Sequence, residues 1–275
     1  MIRFSHTVFA LPFAFSAFIL ASRGHDVGFF TFFWIIIAMV GARSAAMGFN
    51  RIADADIDAA NPRTAMREIP RGVLSKKSAW IFVFLFSVIF IFAAKMLSDL
   101  CFQLSIPVLG VLFAYSLTKR VTSYSHVFLG FAISLAPIGA WIAVTGGFSW
   151  RIMPLSLGLL FYIAGFDILY ACQDTEFDRK AGLKSIPARM GHEKAMKTAR
   201  VFHGVSFLFF LLISPIFYMT AFYFFVVLVI GVLYVVEHML VAPKDLSRIN
   251  IAFFHVNSFI SVILFLGILI DEIIR

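Results

Sequence analysis

Residues 29–58 run FFTFFWIIIAMVGARSAAMGFNRIADADID, a long apolar stretch that ends abruptly in a cluster of carboxylates. Roughly 20 consecutive apolar residues cross the hydrocarbon core of a bilayer, and a helix satisfies every backbone polar group there without water. The stretch therefore reads as a membrane-spanning helix whose far end carries Asn50, Asp54, Asp56 and Asp58.

The rest of the chain has the same character. Of 275 residues, 61% are hydrophobic, 14% are charged and 35 are Phe, far from the roughly quarter-charged usage of soluble domains. Apolar stretches recur at 6–22, 25–48, 79–97, 99–117, 124–145, 152–173, 198–217, 219–242 and 251–271. The pattern predicts an all-α polytopic membrane protein with nine transmembrane helices, one membrane domain covering residues 1–275. The first stretch, with Arg3 ahead of it, is read as a span, because signal-peptide cores are shorter. Pro12, Pro107, Pro137, Pro154 and Pro215 fall inside spans and are expected to kink them for packing.

Charge orients the spans, because Lys and Arg accumulate on the cytoplasmic side. The loops after spans 2, 4, 6 and 8, with Arg200 at the start of the seventh span counted in, hold 17 of the 23 basic residues. The alternate loops hold Arg23, Lys95 and Arg151. The N-terminus and both acidic loops are thus expected in the cytoplasm, the C-terminus outside, and the whole in the cell (inner) membrane. The net charge of +8 then answers to anionic lipid headgroups, and nucleic acid is excluded as a partner. Cys101 and Cys172 fall within spans without metal-type spacing. His6, His126, His203 and His255 are read as polar contacts between helices.

Two connections are long and polar, 49–78 and 174–197. Each opens on acidic residues and continues into a basic segment, and the two lie about 120 residues apart, as in membrane proteins built from two pseudo-repeated halves.

In the first, Asn50, Asp54 and Asp58 advance by fours; on a continuing helix each step is about 40° and 6 Å, so the three share a face while Asp56 points away. In the second, Asp167, Asp174 and Asp178 keep a similar stripe, Asp167 lying about 10 Å deeper than Asp174, with Glu176 on the other side. A carboxylate at the depth of Asp167 costs about 3 kcal/mol in lipid, so it is expected to face a wet cavity and to act there. Five carboxylates without counter-ions repel one another and call for divalent cations. Mg²⁺ suits them, because it binds one or two carboxylates together with substrate phosphates. Arg51, Arg63, Arg67, Arg71, Arg179, Lys184 and Arg189 stand nearby for a diphosphate. Arg43, one helical stripe above Asn50, is expected to take a carboxylate or the diphosphate.

Asn-x-x-x-Asp-x-x-x-Asp at Asn50, Asp54 and Asp58, followed by Asn61-Pro62-Arg63-Thr64 and Arg71-Gly72, resembles the first aspartate-rich motif of the UbiA superfamily of intramembrane prenyltransferases. Asp167 to Arg189, with Tyr170-Ala171 and Gly182-Leu183-Lys184-Ser185-Ile186-Pro187, is similar to that family's second motif. Tyr115-Ser116-Leu117-Thr118-Lys119 matches its Tyr-x-x-x-Lys element. The wording is closest to the 4-hydroxybenzoate polyprenyltransferases, including the branch associated with the futalosine route to menaquinone.

The resemblance implies a Mg²⁺-dependent transfer of a polyprenyl group from its diphosphate to an aromatic carboxylic acid, 4-hydroxybenzoate or a dihydroxynaphthoate, in quinone biosynthesis. It implies that Asn50, Asp54, Asp58, Asp174 and Asp178 hold two Mg²⁺ ions that grip the diphosphate, with Lys119 on phosphate oxygens. Asp167 joins the catalytic acids; Asn50, Arg43, Arg51, Tyr115, Tyr170 and Arg189 are the further substrate-binding expectations, Tyr170 flanking an allylic cation. The competing readings are a secondary transporter with midplane acids and a non-catalytic membrane assembly subunit.

Overall fold

The computed structural model describes residues 10–243, 245–249 and 251–275. Arg3, His6 and the start of the predicted first span lie outside the described residues. Every described element is helical apart from an isolated bridge between Ala242 and Asp245. After Leu11–Ser22 (α1) come Phe29–Ala53 (α2), Ala55–Ala60 (α3), Lys76–Leu97 (α4), Asp99–Ala114 (α5), Thr118–Val121 (α6) and Ser125–Thr145 (α7). Then follow Met153–Ala171 (α8), Thr175–Lys180 (α9), Ile186–Met190 (α10), His192–Phe217 (α11), Ala221–Leu240 (α12) and Asn257–Ile274 (α13). Among the described residues, eight helical segments are long and apolar enough to cross a membrane, and α1 is a shorter apolar helix of 12 residues. The fold class is therefore the expected all-α membrane bundle.

Local chemistry sets the helix ends. Ser75 and Ser98 cap α4 and α5 by accepting the amides of Ser78 and Cys101 at 3.0 and 3.1 Å, which satisfies donors that the first turn leaves open. Gly146 ends α7 in the left-handed region at φ 75°, a conformation glycine reaches without strain. Pro12 and Pro154 sit in the first turns of α1 and α8, where the missing amide costs nothing. Of the five prolines expected to kink spans, only Pro107, Pro137 and Pro215 lie in helix interiors.

Packing centres on α8, whose apolar window is 72% buried, against 17–39% for the other transmembrane segments. It lies against α7 and α11, with α1 bridging to α7 and α13, and α2 pairs with α4. Close approach depends on Gly130 of α7, where an added Cβ would stand 2.3 Å from the Leu160 carbonyl of α8. Phe13, Leu20, Tyr162 and Phe210 fill the centre. Cys101 and Cys172 are free and buried. Holding α8 rigid fixes the depth and direction of the carboxylates at its end.

Candidate active site

Both acidic clusters lie at the end of a long helix that breaks at an aspartate and restarts as a six-residue helix. Asp54 has φ −95° and ψ 7°, between α2 and α3. Asp174 has φ −100° and ψ 5°, after a 3₁₀ turn Cys172–Asp174 and before α9. This bridge conformation is sparsely populated and common at functional positions. Asp58 and Asp178 follow four residues later in α3 and α9, so the repeat seen in sequence recurs as backbone geometry. The expected uninterrupted helix through Asn50, Asp54 and Asp58 is corrected by the break. Asn50 still donates to Asp54 Oδ2 at 3.0 Å, but Asp58 turns into the protein, 4% exposed. Asp56, by contrast, is exposed and meets Lys76 at 3.1 Å, and Glu176 is exposed; both face away as their spacing requires.

The expectation of carboxylates without counter-ions is also corrected. Arg67 Nη1 donates to both oxygens of Asp58 at 2.6 and 2.7 Å. Arg63 grips Asp174 through Nε to Oδ1 at 2.8 Å and Nη2 to Oδ2 at 2.5 Å. The same guanidinium donates to the Tyr170 hydroxyl at 3.1 Å and lies 5.3 Å from its ring centre. Arg120 reaches Asp54 Oδ1 at 3.2 Å. These arginines come from loop 61–74 and from α6. Asn61 fastens the two clusters as well, donating to Asp174 Oδ1 at 3.2 Å while its own oxygen accepts the Arg63 amide at 3.0 Å. Residues of the first cluster's loop thus hold the acid of the second, and the two motifs form one site.

Asp167, one face deeper on α8, bonds through Oδ2 to Nδ1 of His126 on α7 at 2.7 Å. His126 Nε2 accepts the Ile186 amide at 3.4 Å, so the ring proton belongs on Nδ1, facing the carboxylate. The neighbouring Ser185 donates to Asp178 Oδ2 at 2.8 Å. One dipeptide, Ser185-Ile186, therefore steadies two acids. Spacing gave no sign of His126, which lies 41 residues from its partner.

Lys119 stands near enough for its charge to act on both Asp54 and Asp174. Tyr115 lies within electrostatic reach of Arg43, Arg51, Asp54 and Asp167. Arg51 faces Asp58 and Arg67, and its buried Nε has no hydrogen-bond partner among the described residues. Burial, and then Asp58, hold the Asp54 carboxyl above its ordinary value, opposed by Lys119, Arg120 and Asn50. Arg189 is not gathered in: it lines a separate depression of about 430 Å³ with Arg179 and Lys184.

The donor set fits a hard divalent cation. It offers carboxylate oxygens and one amide, Asn50, and Mg²⁺ prefers oxygen donors. Among the described residues no three acids, imidazoles or thiols converge as they stand, and guanidinium groups occupy Asp54, Asp58 and Asp174. Exchange of each guanidinium from carboxylate to phosphate would free oxygen donors without leaving charge unpaired, and the orphaned Arg51 Nε marks where a further acceptor belongs.

Comparison with known proteins finds a family and solved structures that this chain resembles along most of its length. The model of the UbiA prenyltransferase family matches residues 10–261. A 4-hydroxybenzoate octaprenyltransferase of Nitrosomonas europaea is 28% identical over 241 residues, 87% of this chain and 82% of that protein. The apo structure of a UbiA homolog from Aeropyrum pernix K1 superposes with a TM-score of 0.89 at 28% identity, covering 98% of this chain and 99% of that one. A UbiA homolog from Archaeoglobus fulgidus bound to DMAPP and Mg²⁺ shares the fold at a TM-score of 0.63 and 18% identity, over 94% of this chain and 97% of that one.

Proposed function

Because the chain belongs to the UbiA prenyltransferase family, we propose that it transfers a polyprenyl group from its diphosphate to an aromatic carboxylic acid, 4-hydroxybenzoate or a dihydroxynaphthoate, in quinone biosynthesis. The observation that carries the reading is the bond from Arg63 to Asp174, which joins the loop of the first aspartate motif to the acid of the second. A transporter would place its acids at mid-bundle. Asp54 and Asp174 instead end their helices beside several arginines, an arrangement suited to a polyanion.

Asn50, Asp54, Asp58, Asp174 and Asp178 are the proposed Mg²⁺ ligands. When bound, Mg²⁺ supplies Lewis-acid stabilisation of negative charge on a leaving diphosphate. Arg63, Arg67, Arg51 and Lys119 meet the phosphate oxygens and orient the donor, so that the bond between its allylic carbon and oxygen breaks with both electrons leaving on diphosphate. Tyr170 and Tyr115 present aromatic faces to the allylic cation. Arg43 holds the acceptor's carboxylate. The electron-rich ring carbon forms the new carbon–carbon bond, and Asp167, fixed by His126, takes the ring proton. The packed apolar helices exclude the water that would otherwise quench the cation. The two aspartate loops open to the cytoplasm.

The test offers purified protein in lipid one polyprenyl diphosphate and a panel of aromatic acids, with product identified by mass. A prenylated hydroxybenzoate or dihydroxynaphthoate supports the proposal. Diphosphate-independent solute uptake with no prenylated product would replace it with a carrier.

A further inference from the structure

We infer that a groove between α11 and α12, lined by no residue of the aspartate motifs, holds the phosphate of one anionic phospholipid. The groove, of about 590 Å³, is lined by Arg200, His203, Gly204 and Phe207 of α11 and by Gly231 and His238 of α12. Its depth follows from the chain. Arg200 comes eight residues after His192, roughly 12 Å along the helix, and His192 is tied to the aspartate end by Thr175 Oγ1 at 3.0 Å and to the segment after α12 by the Pro243 carbonyl at 3.0 Å. His238 lies two residues from the end of α12. The polar end of the groove is thus at the level where lipid phosphates meet acyl chains, in the leaflet next to the aspartate loops.

The lining has the polarity of a phospholipid. Arg200 is exposed and makes no ion pair or hydrogen bond among the described residues, yet it is flanked on the same surface by apolar groups that face lipid, Val201 at 62% and Leu208 at 59% exposure. An unpaired guanidinium beside apolar surface draws an anionic headgroup. Among the described residues no carboxylate lines the groove: Glu237, the nearest acid in sequence, is buried, stands 3.6 Å from His203 Nδ1 and accepts from Asn257 Nδ2 at 2.9 Å. Arg200 and His238 stand close enough for the charge of one to act on the other, and His238 Nε2 meets His203 Nδ1 at 3.0 Å, which fixes the imidazole edge of the groove.

Below these groups the slot has room for a chain. A Cβ added at Gly204 would meet nothing within 4 Å, so the space over α11 is empty of protein, while Gly231 lets Phe207 lie flat against α12. One guanidinium matches the single charge of a phosphodiester. A prenyl diphosphate carries more charge and finds several arginines at the aspartate site instead.

The experiment titrates delipidated, detergent-solubilised protein with phosphatidylglycerol or phosphatidylcholine of identical acyl chains and counts bound lipid by native mass spectrometry. Wild type should prefer phosphatidylglycerol by roughly fivefold, the scale of one basic residue near an anionic surface. Arg200→Gln should bind both lipids equally and Arg200→Lys should keep part of the preference. Gly204→Leu, which meets open space and improves helix propensity, should lose the site for both lipids while its melting temperature holds. An unchanged preference in Arg200→Gln, or undiminished binding in Gly204→Leu, would overturn the inference. So would displacement of phosphatidylglycerol by millimolar inorganic phosphate or by a metal-free prenyl diphosphate, since either would identify a different occupant.

Discussion

Nδ1 of His126 and Oδ2 of Asp167 lie 2.7 Å apart, joining two helices at a carboxylate whose depth in the bundle would otherwise be costly. The imidazole is fully buried and its other nitrogen is spent on the Ile186 amide. Its proton is therefore directed at Asp167, which keeps that acid oriented.

Replacing His126 should accordingly damage chemistry more than binding. His126→Asn, whose amide can still donate near the Nδ1 position, should retain more activity than His126→Leu, which leaves the carboxylate unpaired. We expect His126→Leu to lower kcat by on the order of 10²-fold, with KM for the prenyl diphosphate changed little. Steady-state kinetics on both variants check this; a loss confined to KM would assign His126 to binding.

The arginine pairs make a separate prediction. Arg67 neutralises Asp58, so in Arg67→Gln the carboxylates repel more strongly and should bind Mg²⁺ more tightly in the absence of substrate. The same variant should turn over more slowly, because phosphate loses a donor. Calorimetric titration with Mg²⁺, set beside turnover, separates the two effects.

Topology can be tested with single cysteines, since Cys101 and Cys172 are buried. Ser75, Lys194 and Asp26 are exposed: Ser75→Cys and Lys194→Cys should label from the cytoplasmic side and Asp26→Cys from the other. Labelling of either of the first two from outside would refute the orientation.

Helix packing gives a stability test within α7. Gly130→Ala drives a methyl into the Leu160 carbonyl, whereas Gly139 faces open space. Gly130→Ala should cost about 1–3 kcal/mol, the usual range for overpacking, and Gly139→Ala should be neutral or slightly stabilising. Thermal melts in one detergent decide it.

Much of this was legible in the chain because its causes are local. Apolar length alone marks the spans, and α4, α7 and α12 begin and end within a few residues of the expected limits, whereas α2 runs on to Ala53, past the expected 48. The facing of Asp56 and Glu176 away from the site follows from helical spacing. The break at Asp54 was not legible, since nothing in Ala53-Asp54-Ala55 forbids a continuous helix; a bond from Arg120, 66 residues away, meets that residue beside the local one from Asn50. The counter-ions were hidden for the same reason. Arg63 and Asp174 are 111 residues apart, and a basic loop reads equally as an orientation signal or as a set of ion-pair partners. His126 makes the expected polar contact between helices, but a lone histidine in an apolar span carries no spacing that names Asp167 as its partner.

The central claim is that the two aspartate motifs act as one site on one diphosphate. Turnover of Asp54→Asn, Asp174→Asn and the double variant, with Asp56→Asn as the outward-facing control, tests it most directly. Each single variant should lose activity by roughly 10²-fold or more, and the double should be little worse than either, because groups acting as a unit are strongly non-additive. Asp56→Asn should stay close to wild type, and EDTA should abolish turnover until Mg²⁺ is restored. Full activity in either single variant, or multiplicative losses in the double, would contradict the account.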